Sequence, residues 1–133
     1  MNKTLERVVV TGMGAITPLG NSLKEFWKNA VAGKSGSSMI TRFDTTHFKT
    51  RFAAEVKDFD PSEYFEKNEA RKFDLFTQYA VASAQEAILH AGLNFKSADS
   101  SVNKNKVGVI WGSGNGGIQT FQDQLGDFFA NNR

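Results

Sequence analysis

The chain has 133 residues, 16 Lys and Arg against 14 Asp and Glu, a formal net charge of +2, and a composition that is 40% hydrophobic and 23% charged; this allows one compact domain with a core and is too weakly basic to indicate a nucleic-acid partner. The absence of cysteine excludes a disulfide framework, a thiolate metal site and a thiol nucleophile within these residues. No apolar run approaches the length of a membrane span, and the polar start lacks the basic-then-apolar layout of a secretory signal, so the expectation is a cytoplasmic protein with no membrane contact.

Residues 7–11 (RVVVT) are a short β-branched run closed by glycine, as in a buried central strand. The next stretch, Gly12-Met13-Gly14-Ala15-Ile16-Thr17-Pro18-Leu19-Gly20, reads as a long turn. Ser22 stands three residues before Glu25, the spacing of a capping box, and so predicts a helix start. Leu23, Phe26, Trp27, Ala30 and Val31 then share one helical face, and Gly33 is placed to end the helix in a left-handed conformation. Residues 34–50 hold no steady period and read as a crossing loop. Phe52, Ala54 and Val56 alternate with Ala53, Glu55 and Lys57, predicting a second strand with one face more exposed. Pro61 after Asp60 opens a short helical turn.

From about Glu69 to His90 the apolar set Phe73, Phe76, Tyr79, Ala80, Ala84, Ala87 and Ile88 recurs at three and four. This predicts one long helix, stopped by Gly92, with the aromatic residues in the core. Its small residues, Ala80, Ala82, Ala84 and Ala87, permit close approach of a neighbour. Residues 94–105 read as a polar loop, 107–111 as a third buried strand, 112–117 as a glycine turn and 118 to about 129 as a last helix. Alternating strands and helices argue for an α/β fold with a largely parallel sheet, because parallel neighbours need crossover connections. The last helix is apolar and no strand follows to bury it, so a continuation of the chain is expected.

Gly112-x-Gly114-x-x-Gly117 follows a strand and precedes a helix, the local context in which backbone N–H groups bind a dinucleotide pyrophosphate. The acidic residue that completes such a site lies about 20 residues further on, beyond a strand this chain does not reach. After the first loop, Gly12-x-Gly14, Pro18 and Gly20 would break the helix that a dinucleotide site requires at once. Tight turning is the reading preferred for both loops.

VVVTGMGAITPLGNS, FWKNAVAGKSG, RFDTTHFKTRFAAEVKDFDPSEYF, EARKFDLFTQYAVASAQEAILHAGL and VGVIWGSGNGG follow one another in order and at spacings that resemble the amino-terminal part of β-ketoacyl-acyl-carrier-protein synthases, in particular the elongating type of bacterial fatty-acid synthesis. The resemblance covers essentially the whole chain. It implies a thiolase-like fold, of which residues 1–133 are most of the first βαβαβ half, normally within a homodimer. It also implies decarboxylative Claisen condensation of an acyl group with malonyl-acyl-carrier protein, with no cofactor and no metal. A cysteine nucleophile suits acyl transfer because a thiolate attacks thioesters readily and leaves readily. The family's cysteine, two histidines and lysine have no counterpart here, so the chain taken alone is expected to be catalytically inert, with no catalytic residue of its own.

Two features of the family do map onto this chain. Lys67, Arg71 and Lys72, in EKNEARKFD, match a basic segment that docks the acidic acyl carrier protein, and Arg133 is a further candidate. The alternative for these cations is a solvated helix start, and Asn68, Glu66 and Glu69 dilute their field. Asn115 falls where elongating synthases place an aliphatic side chain that gates the acyl pocket; a polar amide there needs partners if buried. His47, in a polar loop, and His90, in the last turn of the long helix, match no catalytic motif and are read as solvent-facing or structural. Two other readings stand beside the synthase: a non-catalytic relative such as a chain-length factor, and a dinucleotide-binding domain.

Overall fold

The computed structural model describes residues 6–95 and 102–131. In chain order its elements are α1 (Leu23–Val31), β1 (Ser38–Met39), β2 (Phe52–Ala53), α2 (Lys67–Ala70), α3 (Leu75–His90) and α4 (Ile118–Asn131), with single 3-10 turns at Pro61–Glu63 and Lys104–Lys106.

The helix starts follow local chemistry. Ser22 Oγ accepts from Glu25 N–H at 3.2 Å, while the Glu25 carboxylate accepts from Asn21 N–H at 3.1 Å. This is one residue earlier than a strict capping box returns its bond. Asp60 caps the turn at Pro61 by accepting from Ser62 N–H at 2.8 Å. α1 and α3 both end in a Schellman arrangement. Gly33 N–H reaches Ala30 C=O and Lys34 N–H reaches Asn29 C=O, each at 3.0 Å; at the end of α3, Gly92 and Leu93 repeat the pattern at 3.0 and 3.1 Å. Gly33 and Gly92 both have φ +67°, a region costly for any residue with a Cβ.

The predicted long helix is two helices. At residues 71–74 the ladder gives way to tighter bonds, with Lys72 N–H to Glu69 C=O and Phe73 N–H to Ala70 C=O. The Gln78 side-chain amide donates to Ala70 C=O at 3.0 Å and to Phe73 C=O at 2.9 Å. It thereby satisfies carbonyls that a continuous helix would have used, and Asp74, with φ −59° and ψ 155°, leaves helical geometry before α3 begins.

The centre of the structure is the face of α3 that meets the first glycine loop. Ala82 and Ser83 on α3 and Ala70 on α2 are the buried residues among those described. A Cβ on Gly12 would overlap the Ala87 carbonyl oxygen, and one on Gly14 the Ser83 carbonyl oxygen. The loop thus lies directly on the α3 backbone, as the small residues of that helix allow. Two side chains on α3 hold it there. Glu86 accepts from Ala15 N–H at 2.8 Å and from Leu23 N–H at 2.8 and 3.1 Å. His90 Nδ1 accepts from Met13 N–H at 3.1 Å. The loop closes on itself where Thr17 N–H and Gly20 C=O pair at 3.0 Å, with Pro18 at the turn. A second layer is aromatic: the Phe59 ring stacks on Tyr64 at 5.7 Å and meets the Tyr79 ring edge-on at 4.9 Å.

The sheet departs from expectation. Its one ladder among the described residues is the antiparallel pair β1–β2, in register Ser38↔Ala53 and Met39↔Phe52. β1 lies inside the segment read as a loop, because two residues carry no period to recognise. Of the strand expected over residues 52–57 only Phe52–Ala53 forms; exposure alternates through residue 55, with Phe52 and Ala54 on the exposed face, and the alternation stops at Val56. Residues 7–11 and 107–111, the predicted parallel strands, form no ladder among the described residues, and Val8 is 91% exposed and Ile110 100%. A strand exists through its neighbour's hydrogen bonds, so a β-branched run without a neighbour has propensity and no sheet.

Replacing Gly14 by Ala in the protein that carries this segment is expected to destabilise it by ~1–3 kcal/mol, because the added methyl must push the loop off the α3 backbone. Chemical denaturation of the two forms measures the difference; equal midpoints would show that the loop moves away without cost.

Candidate functional site

A cleft of about 660 Å³ opens between the α2–α3 turn and the second glycine loop. Its walls are Arg71 and Lys72 from the turn, Tyr79 from α3, Arg42 from the loop after β1, and Gly116 and Gly117 leading into α4. The turn is fixed by the Gln78 bonds described above, which hold residues 71–73 in a bulge that stands off the helix and leaves Arg71 and Lys72 exposed. Arg42 comes from a separate part of the chain. Its guanidinium Nη2 donates to the Tyr79 hydroxyl at 3.2 Å. The preceding residue is anchored from the segment just after β2: Glu55 accepts from Thr41 N–H at 3.2 Å and from the Thr41 hydroxyl at 2.9 Å. Bonding to Thr41 holds the Glu55 carboxyl below the usual range, and the nearby Arg42 charge adds to the effect.

The floor of the cleft carries one acid. Asp74 makes no side-chain cap to its own helix; its carboxylate accepts from the Thr120 hydroxyl in the first turn of α4, and a Cβ on Gly117 would collide with it. This bears on the dinucleotide reading. The space at the amino terminus of α4, where a pyrophosphate would sit, adjoins a carboxylate that repels anions. The first loop is similar: the N–H of Leu23, the first residue of α1, is taken by Glu86. The first glycine loop is a tight turn packed on α3, whereas in the second only Gly117 approaches a neighbour, the Asp74 carboxylate.

Of the predicted docking cations, Arg71 and Lys72 line the cleft, whereas Lys67, exposed at the start of α2, does not. Glu66 and Glu69 are exposed beside it. Arg133 lies outside the described residues. Asn115 is exposed in the second glycine turn, next to Gly116, whose N–H is accepted by Ser113 Oγ at 3.1 Å. His47 is exposed in the loop before β2, and His90 serves the first glycine loop. Phe73, Phe76 and Tyr79 were expected in the core; none is buried, and all three face the cleft. Phe73 still meets the Phe65 ring at 5.6 Å and Tyr79 the Phe59 ring at 4.9 Å, so these side chains combine aromatic packing with a place in the cleft wall. Arg42 is the residue that sequence reasoning missed. One arginine in an aperiodic loop carries no signal of its own.

The family model for the beta-ketoacyl synthase N-terminal domain matches residues 5–130. A protein of Synechocystis sp. named 3-oxoacyl-[acyl-carrier-protein] synthase 2 is 42% identical over 123 residues, covering 92% of this chain and 29% of the relative. The proteins of the same name from Staphylococcus aureus and Vibrio cholerae are 43% and 45% identical over 120 and 116 residues, each covered over 27% of its length. The chain thus spans less than a third of the curated relatives it matches. Among solved structures, the ishigamide ketosynthase/chain length factor superposes with a TM-score of 0.73 at 29% identity, covering 93% of this chain and 30% of that one.

The Glu55 anchor has a defined pH response. Its folded pKa lies below the ordinary value of 4.5, so the stabilisation is fully present above that value and is lost as pH falls through the lower, folded value. Protection of the Thr41 amide, the intrinsic exchange rate over the observed one at each pH, is expected to fall on acidification below pH 4.5, and Glu55→Gln is expected to remove that step. An unchanged acid profile in the variant would assign the response to another group.

Proposed function

The chain belongs to the β-ketoacyl synthase family, and from that premise we propose that it is the amino-terminal part of a 3-oxoacyl-[acyl-carrier-protein] synthase. The proposed enzyme is an acyltransferase of fatty-acid biosynthesis that condenses an acyl group with malonyl-acyl-carrier protein. The observation that carries this reading is identity of 42–45% to synthases of that name, sustained over nearly the whole chain. In this reading residues 1–133 supply no nucleophile, since they hold no cysteine, and the thioester chemistry belongs to the remainder of a cytoplasmic, homodimeric protein.

What this part contributes is recognition. Arg71 and Lys72, exposed on the rim of a cleft that runs to the second glycine loop, are suited to steer an acidic carrier protein toward it. Lys67 adds charge from the start of α2, outside the cleft itself. Asn115, at the tip of the same loop, is proposed to border the acyl pocket, where an amide in place of an aliphatic side chain alters which acyl lengths are accepted. The superposition on the ishigamide ketosynthase/chain length factor keeps a second reading in play, a non-catalytic relative of the same fold. A cysteine-directed covalent inhibitor separates the two: labelling of the full-length protein supports the synthase, and no labelling supports the relative.

Two outcomes are expected. The 133-residue chain, supplied with acyl- and malonyl-carrier protein, forms no condensation product, whereas the full-length protein does; product from the short chain would overturn the division of labour. In the full-length enzyme, reversing both charges with Arg71→Glu and Lys72→Glu raises KM for the acyl-carrier protein by about tenfold at low salt, each exposed pair contributing up to ~1 kcal/mol. Kinetics that stay unchanged at low ionic strength would remove the docking role.

A further inference from the structure

We propose that Arg42 is a third cation of the carrier-protein docking surface, held in place by Tyr79. The inference rests on the reading of Arg71 and Lys72 as docking residues and extends it to a residue from a different part of the chain. All three cations line one cleft and all three are exposed. Lys67, the cation their sequence neighbourhood would add, does not line it.

Arg42 is set up to act as a fixed charge. One end of its guanidinium is engaged by the Tyr79 hydroxyl at 3.2 Å, and its backbone is tethered through Thr41 to Glu55. The hydroxyl takes one donor of the five in the guanidinium fork and removes none of its charge, so the remaining donors stay available for a carboxylate. Holding the long side chain beforehand lowers the ordering cost that an exposed ion pair otherwise carries. Asp74, bonded to the Thr120 hydroxyl, keeps its negative charge in the cleft, so the carboxylates of an acidic partner are met by the exposed Arg42, Arg71 and Lys72 and not beside Asp74.

The surface suits an acidic protein better than a nucleic acid. Exposed Glu66 and Glu69 flank the cations on α2. They would repel a continuous line of phosphates, whereas a protein can meet them with basic or neutral residues while its own carboxylates face Arg42, Arg71 and Lys72.

The test uses the full-length synthase and acyl-carrier protein at low ionic strength. Arg42→Gln is expected to raise KM for the carrier substrate about two- to fivefold, the range of one exposed pair, and Arg42→Glu to raise it further. The rise in KM exceeds any change in kcat and shrinks as salt is added. Tyr79→Phe produces part of the Arg42→Gln effect and adds little to it in the double variant. If Arg71→Glu with Lys72→Glu raises KM and neither Arg42 variant does, the role of Arg42 is overturned and the docking reading stands; if none of them does, the docking reading falls with it. Should Arg42→Glu fail to fold, Arg42→Lys and Arg42→Gln decide: a rise confined to Arg42→Gln supports the charge, and an equal rise in both overturns it.

Discussion

A single carboxylate joins three segments that are distant in sequence. Glu86, on α3, accepts from the backbone N–H of Ala15 in the first glycine loop and from that of Leu23 at the start of α1. Each donor would otherwise be an orphan, one in a turn with few internal bonds and one in the first turn of a helix. Because both bonds end on a charged acceptor, each is stronger than an ordinary amide pair. The negative charge also stands at the positive end of α1, where the helix dipole favours it. The loop can come this close only because Gly12 and Gly14 have no side chain to keep it off the α3 backbone.

The same helix organises the other end of the structure by similar means. Asp74, at its amino terminus, bonds Thr120 and crowds Gly117, so the second glycine loop and α4 are also referred to α3. Each glycine loop is therefore followed by a helix whose first turn meets a carboxylate. This arrangement explains why a pattern shared with dinucleotide sites serves a different end here. Gly12 and Gly14 allow close approach to the α3 backbone and Gly117 to the Asp74 carboxylate, so what lies opposite these glycines is protein and not a ligand.

Tertiary structure also creates the cleft. The Gln78 amide bonds carbonyls at the break in what the apolar period presents as one helix; Arg71 and Lys72 are exposed at that break, and Phe73, Phe76 and Tyr79 line the cleft beside them. The aromatic residues supply the wall and the cations the rim. β1 and β2 lead into the remaining wall, since Glu55, two residues past β2, secures Thr41, and the adjacent Arg42 donates to Tyr79. A short antiparallel ladder thus matters more to the cleft than its length suggests.

The sequence by itself determined what depends on neighbours along the chain. Ser22 and Glu25 mark the start of α1, Asp60 and Pro61 mark a turn, and Gly33 and Gly92 end helices, because each of these bonds closes within a few residues. The ordered motifs also sufficed to identify the family, and Arg71, Lys72 and Asn115 as residues to locate. Only the tertiary structure decided what depends on meetings across the chain. A side-chain amide breaks a periodic helix, a two-residue strand forms in an aperiodic loop, and Arg42 reaches the cleft that Arg71 and Lys72 line. The β-branched runs at 7–11 and 107–111 show the limit most directly. Their residues are those of strands, but a ladder is a relation between two segments, and propensity in one segment cannot supply the hydrogen bonds of the other.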